Sequence, residues 1–139
     1  MSKPSIACFG EAMIELSLEG DDASTAKVGF AGDTLNTAIY LKRAAPEVNV
    51  VYATRLGRDR FSEKMLGFIE GETIDTSCIG LDNTRMPGLY AITTSFDGER
   101  SFSYWRDRSA ARELFDAGRP TFEDLSRFGM IYFSAISLA

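Results

Sequence analysis

The chain has 139 residues, enough for one domain with a real core, and its 45% apolar and 25% charged residues exclude a disordered or fibrous protein. A net charge of -5 and an isoelectric point near 4.8 offer no broad basic face, which excludes nucleic acid as the main partner. Any anion bound here has to be held locally, by one or two residues.

"SIACFG" (Ser5 to Gly10) is a short apolar run ending in glycine and predicts a buried strand. "AMIELSLEG" alternates Met13, Glu15 and Ser17 against Ile14, Leu16 and Leu18, the pattern of a half-exposed strand. From Asp33 to Ala45 the period changes to that of a helix: Leu35, Ala38, Ile39 and Leu41 form an apolar stripe, Asp33 or Thr34 can cap the start, and Pro46 stops it. The helix is entered through "GFAG". "VNVVYATRLG" (Val48 to Gly57) predicts a second strand buried on both faces, and a helix follows with Asp59 as cap and Phe61, Met65, Phe68 and Ile69 on one face.

Strand, helix, strand, helix predicts an α/β fold with a mostly parallel sheet. After "TSCIGL" comes a hairpin, "PGLYAITTSFDGERSFSYWR" (Pro87 to Arg106), then the weakly helical "RSAARELF", then "TFEDLSRFG" and the apolar "MIYFSAISLA". The segment Met130 to Ala139 reads as a central strand leading into a loop, with no helix after it to cover the sheet. We therefore expect an incomplete fold, the N-terminal part of a longer protein.

There is no histidine, and Cys8 and Cys78 are the two cysteines, so zinc sites and Cys/His or Ser/His/Asp nucleophile systems are excluded as usually built. Two buried thiols in a reducing compartment are expected. The chain shows no basic, apolar leader and no apolar run of the roughly 18 residues a membrane span needs, so a cytoplasmic protein without membrane partner is expected.

Loop length decides which hairpin side chains share a face. With a three-residue "DGE" loop (Asp97 to Glu99), Phe96 pairs with Arg100, and Tyr90, Ile92, Thr94 and Phe96 join Phe102, Tyr104 and Arg106 on one face. A two-residue "DG" loop would set Tyr90 against Trp105 and split the tyrosines. We expect the odd loop, with Gly98 in the left-handed position it requires. Two phenols and a guanidinium then meet at the end of the hairpin farthest from its turn, a set suited to a small hydroxylated acid. The competing reading has the tyrosines packing on the sheet and Arg106 pairing with Glu15 or Asp107 at the surface.

"GFAGDTLN" adds to that set. Glycine before a capped helix lets a ligand reach free N–H groups at the positive end of the helix dipole, and Asn36 in the first turn both donates and accepts. The motif lacks the spacing of a dinucleotide or P-loop fingerprint.

In order and spacing, "FGEAMIELS", "AGDTLNTAIYLKR", "YATRLGRDRFSEKML", "PGLYAITTSFDGERSFSYWR" and "YFSAISLA" resemble the N-terminal half of the 2-keto-3-deoxygluconate kinases, a branch of the ribokinase-like (PfkB) sugar kinases. The resemblance implies a ribokinase-like sheet with a small β lid, its strands at about 12–30 and 87–106. It implies that Gly32, Asp33 and Asn36 lie in the stretch holding the sugar hydroxyls. It implies that Tyr90, Tyr104 and Arg106 are lid residues on the substrate, Arg106 near its carboxylate. Glu15 matches a position where many relatives place an acidic hydroxyl ligand, and Ala31 replaces a glycine common in the family.

The family's Gly-Ala-Gly-Asp helix start, which supplies the catalytic base and an anion hole, has no match here. The resemblance thus implies no catalytic, cofactor or metal residue within this chain, and an inactive product if the chain stands alone. The longer protein would use ATP and Mg2+ to phosphorylate the terminal hydroxyl of the sugar acid, as a homodimer through the lid. A fructokinase-like kinase and a stand-alone sugar-binding or dimerisation module are the alternatives.

Overall fold

The computed structural model describes residues 3–19, 24–116 and 122–138; positions 20–23 of the expected 12–30 lid segment, Thr121 and Ala139 lie outside them. In chain order the strands are β1 (Ser5–Phe9), β2 (Met13–Glu19), β3 (Thr25–Ala31), β4 (Asn49–Leu56), β5 (Ile79–Leu81), β6 (Gly88–Thr94), β7 (Arg100–Trp105) and β8 (Met130–Phe133). The helices are α1 (Asp33–Ala44), α2 (Arg60–Gly71) and α3 (Phe122–Ser126), with a 3-10 turn at Ala110–Glu113 and another at Ala135–Leu138. They build a parallel sheet in the order β5-β4-β1-β8 and a smaller sheet in the order β3-β2-β6-β7. In the smaller sheet β2 and β6 run parallel and both outer pairs antiparallel.

Alternation along two strands builds the core. Ile6 and Cys8 of β1 and Val50 and Tyr52 of β4 point to one side, against Leu35, Ala38 and Ile39 of α1 and Met65 and Ile69 of α2. Ala7, Phe9, Val51 and Ala53 point to the other, against Cys78 and Leu114. Burial on both faces explains why these strands read as continuous apolar runs. Each fully buried side chain of the size of Leu35 or Ile69 contributes roughly 1.5–3 kcal/mol. Of the expected helix faces, Leu41 and Phe68 are partly buried, whereas Phe61, beside the buried Ser62 in the first turn of α2, is 43% exposed.

The two helix starts differ. Asp59 caps α2 as expected: Oδ1 accepts from the amides of Phe61 (2.9 Å) and Ser62 (3.1 Å), and Oδ2 from the Ser62 hydroxyl (2.7 Å). Burial works to raise its pKa, but these bonds to the Ser62 hydroxyl and the amides outweigh it and hold the carboxyl below its ordinary value. At α1 the cap residue is Gly32, not Asp33 or Thr34, and no side chain caps it. A Cβ at position 32 would sit 2.4 Å from the Glu11 carbonyl oxygen, so close backbone approach decides the residue there. Asp33 instead serves from the first turn, its Oδ1 accepting from the Thr34 amide at 2.7 Å.

The hairpin also corrects an expectation. Its last ladder pair is Thr94 with Arg100, the Ser95 amide donates to the Glu99 carbonyl, and the Gly98 amide to the Ser95 carbonyl. The three-residue loop is therefore Phe96 to Gly98, one position earlier than expected, and Tyr90 stands opposite Tyr104 rather than Arg106. Gly98, with φ 86, sets this: the left-handed residue ends the loop instead of lying within it. A two-residue change of partner preserves parity, so the expected shared face survives.

Among the described strands β8 pairs with β1, and Met130, Ile131, Tyr132 and Phe133 are 37–62% exposed. Among the described residues no helix is long and apolar enough to cross a membrane.

Candidate sugar site at the mouth of the first helix

Gly32, Asp33, Asn36, Tyr90, Tyr104 and Arg106 all line one open cavity of about 700 Å³. They come from three places: the first turn of α1, the start of β6, and the end of β7 with the residue after it. The parallel pairing of β2 with β6 sets Met13 opposite Gly88 and Glu15 opposite Tyr90, which brings the open end of the hairpin to the helix mouth. Asp33 and Asn36 are exposed to the cavity while Gly32 is buried beneath it. At this helix mouth the Asn36 side-chain amide and the Asp33 carboxylate, whose Oδ1 also accepts from the Thr34 amide, can donate to and accept from neighbouring hydroxyls.

Behind the mouth, Thr34 is fully buried and its hydroxyl shares a 3.0 Å hydrogen bond with that of Tyr52, also fully buried. Burial pushes the Tyr52 phenol well above its ordinary pKa, so it stays a neutral partner that pins the start of α1 to β4.

The aromatic wall is continuous. The Tyr90 and Tyr104 rings lie 5.8 Å apart, centre to centre, with 30° between their planes, and Phe102 lies 6.3 Å from Tyr90 and 6.4 Å from Tyr104. The Tyr90 hydroxyl donates to Glu15 Oε2. Burial, then the Glu15 carboxylate, raises the Tyr90 pKa strongly, so this phenol acts as a neutral donor.

Arg106 takes a partner that the sequence reading missed. Its Nε donates to Glu11 Oε2 at 2.7 Å and one terminal nitrogen lies 2.6 Å from the same oxygen; neither Glu15 nor Asp107 is that partner. Glu11 follows the end of β1, and carboxyl ends of parallel strands are where α/β sheets present ligand-facing groups. A charged residue between the apolar runs of β1 and β2 was the available signal. Ile136 and Ser137, also on the cavity wall, carried no such signal. Among the described residues, no group of three or more His, Cys, Asp or Glu is arranged to hold a metal ion.

Comparison with known proteins gives the family of the chain. Residues 3–138 match the model of the pfkB family of carbohydrate kinases. The chain is 46% identical to a 2-dehydro-3-deoxygluconokinase of Escherichia coli K12, an alignment that covers all of this chain and 45% of that protein. The chain thus spans under half the length of the curated relatives it matches. Among solved structures, a Thermotoga maritima 2-dehydro-3-deoxygluconokinase superposes with TM-score 0.82 at 19% identity, over 96% of this chain and 41% of that one. A Xylella fastidiosa fructokinase with bound ATP superposes with TM-score 0.71 at 26% identity, over 82% and 36%. A family model matched along nearly the whole chain, over a ribokinase-like fold, makes this chain a member of the pfkB family of carbohydrate kinases.

Proposed function

We propose that this chain forms the sugar-binding part of an ATP-dependent kinase for 2-keto-3-deoxygluconate. The observation that carries the reading is the meeting of Arg106, two phenols and the α1 mouth around one cavity. Glu11 occupies the Nε side of the Arg106 guanidinium, which leaves N–H groups of its other edge for a carboxylate. The tyrosines would cover the apolar face of the sugar, while Gly32, Asp33 and Asn36 would hold its hydroxyls. High identity to proteins named for this sugar acid supports the acid over a neutral sugar.

The Gly-Ala-Gly-Asp helix start is missing from the sequence, and no step of phosphoryl transfer is assigned to a residue of this chain. What these residues do is bind and orient the acceptor; ATP, with Mg2+, supplies the phosphoryl group in the whole enzyme. The reading includes a homodimer through the smaller sheet, where Phe96, Phe102 and Trp105 are exposed by 103%, 48% and 62%, and a cytoplasmic protein.

A second reading, a fructokinase-like enzyme, is favoured by one observation: Glu11 already compensates the charge of Arg106. A coupled assay on the full-length kinase, with 2-keto-3-deoxygluconate and fructose as acceptors, separates the two. The proposal expects kcat/KM to favour the acid; a preference for fructose overturns it.

A further inference from the structure

Glu11 stands where three parts of the site meet, and the local sequence yields to it at each contact. Its backbone carbonyl lies under Gly32 at the helix mouth, 2.4 Å from where a Cβ would stand. Its carboxylate lies under Gly88 at the start of β6, where a Cβ would fall 2.5 Å from Oε1. Oε2 accepts from Arg106, just beyond β7. The side chain is only 10% exposed, and among the described residues Oε1 has no hydrogen-bond partner although it is buried. Leaving one oxygen of a carboxylate this little exposed without a partner among the described residues is costly.

We propose that Glu11 is a positioning residue for substrate recognition. By occupying the Nε side of the guanidinium, it turns the remaining edge of Arg106 to the substrate carboxylate and ties that edge to the helix mouth holding the hydroxyls. Two of the five guanidinium N–H groups are engaged by Oε2, and the other three, unengaged among the described residues, face a ligand. Without Glu11 the Arg106 side chain would sample other rotamers, and the binding geometry would have to be restored each time substrate binds. The inference rests on the sugar-acid reading of the preceding subsection.

The test is steady-state kinetics on the full-length kinase with Glu11→Gln, Arg106→Ala and the double variant. Recognition of a carboxylate remote from the reacting hydroxyl is a binding effect felt alike in ground and transition states. Glu11→Gln should therefore raise KM for 2-keto-3-deoxygluconate about ten-fold, with kcat and KM for ATP within about two-fold of the parent. In the Arg106→Ala background the same change should leave KM unaltered, because the group it positions is gone. If Glu11→Gln fails to fold, Glu11→Asp, which keeps the charge but draws the carboxylate back from the Arg106 guanidinium, should give the same KM-selective loss. An unchanged KM, a fall in kcat of equal size, or additive effects in the double variant would overturn the positioning role. In each of those cases a raised KM in Arg106→Ala would show the sugar-acid reading intact; an Arg106→Ala enzyme with parental KM would remove both.

Discussion

Arg106→Ala separates two quantities that a single side chain carries. Removing the guanidinium strips Glu11 Oε2 of both its donors, at 2.7 and 2.6 Å, beside an Oε1 that has none among the described residues. Breaking a fully buried ion pair from one side costs about 3–5 kcal/mol; this pair is 23% and 10% exposed at its two side chains, so we expect about 2–3 kcal/mol of lost stability. The second loss falls on the ligand. Charge-assisted hydrogen bonds to the substrate carboxylate are worth about 1.5–3 kcal/mol, or roughly 10- to 150-fold in KM for the sugar acid, and much less for fructose. Denaturant unfolding without sugar reads the first quantity and steady-state kinetics with the two sugars the second. Adding Glu11→Gln should restore at least half of the stability, since the stranded charge is removed, and none of the affinity for the acid. Equal KM losses for acid and neutral sugar would refute the carboxylate contact; an unchanged unfolding midpoint would refute the energetic weight given to the Glu11 pair.

Other outcomes follow from the same geometry. Gly32→Ala forces a methyl group against the Glu11 backbone carbonyl, and such overpacking should cost about 1–3 kcal/mol on thermal unfolding, with sugar affinity falling alongside; an alanine variant as stable as the parent would mean the helix mouth is not held by that approach. Asp59→Ala removes three hydrogen bonds at the start of α2 and should cost about 1 kcal/mol in denaturant unfolding without changing KM for either substrate. Asp82 accepts from the amides of Thr84 and Arg85, which hold its carboxyl far below the usual range, helped by the Thr84 hydroxyl and Arg55. A depressed native pKa gives stability that is present above the unfolded value, about 3.9, and is lost as pH falls through the native one. Melting temperature should therefore decline less between about pH 5 and pH 2 in Asp82→Asn than in the parent, and parallel curves would contradict the assignment.

The elements that local chemistry can specify were readable along the chain. The apolar runs of β1 and β4, the 3.6-residue stripe through Leu35, Ala38 and Ile39, and the Asp59 cap each depend on residues within one or two turns of each other. Hairpin parity was also local, because Gly98 fixes a loop with an odd number of residues. The motifs "PGLY" and "GERSFSYWR" carried the family, and with an odd loop, alternation along the two strands places the tyrosines and Arg106 on one face of the hairpin.

Tertiary structure decided the rest, because each missed feature depends on segments far apart in sequence. Glycine holds position 32 because the carbonyl of Glu11 approaches it, which no helix-capping preference can foretell. Arg106 chose Glu11, 95 residues away, over the nearer Asp107, since the pairing of β2 with β6 carries the start of the hairpin over the end of β1. An ion pair buried by such a crossover has no signature in spacing or composition; it exists only once two sheets have been brought together, and with it comes the shape of the cavity.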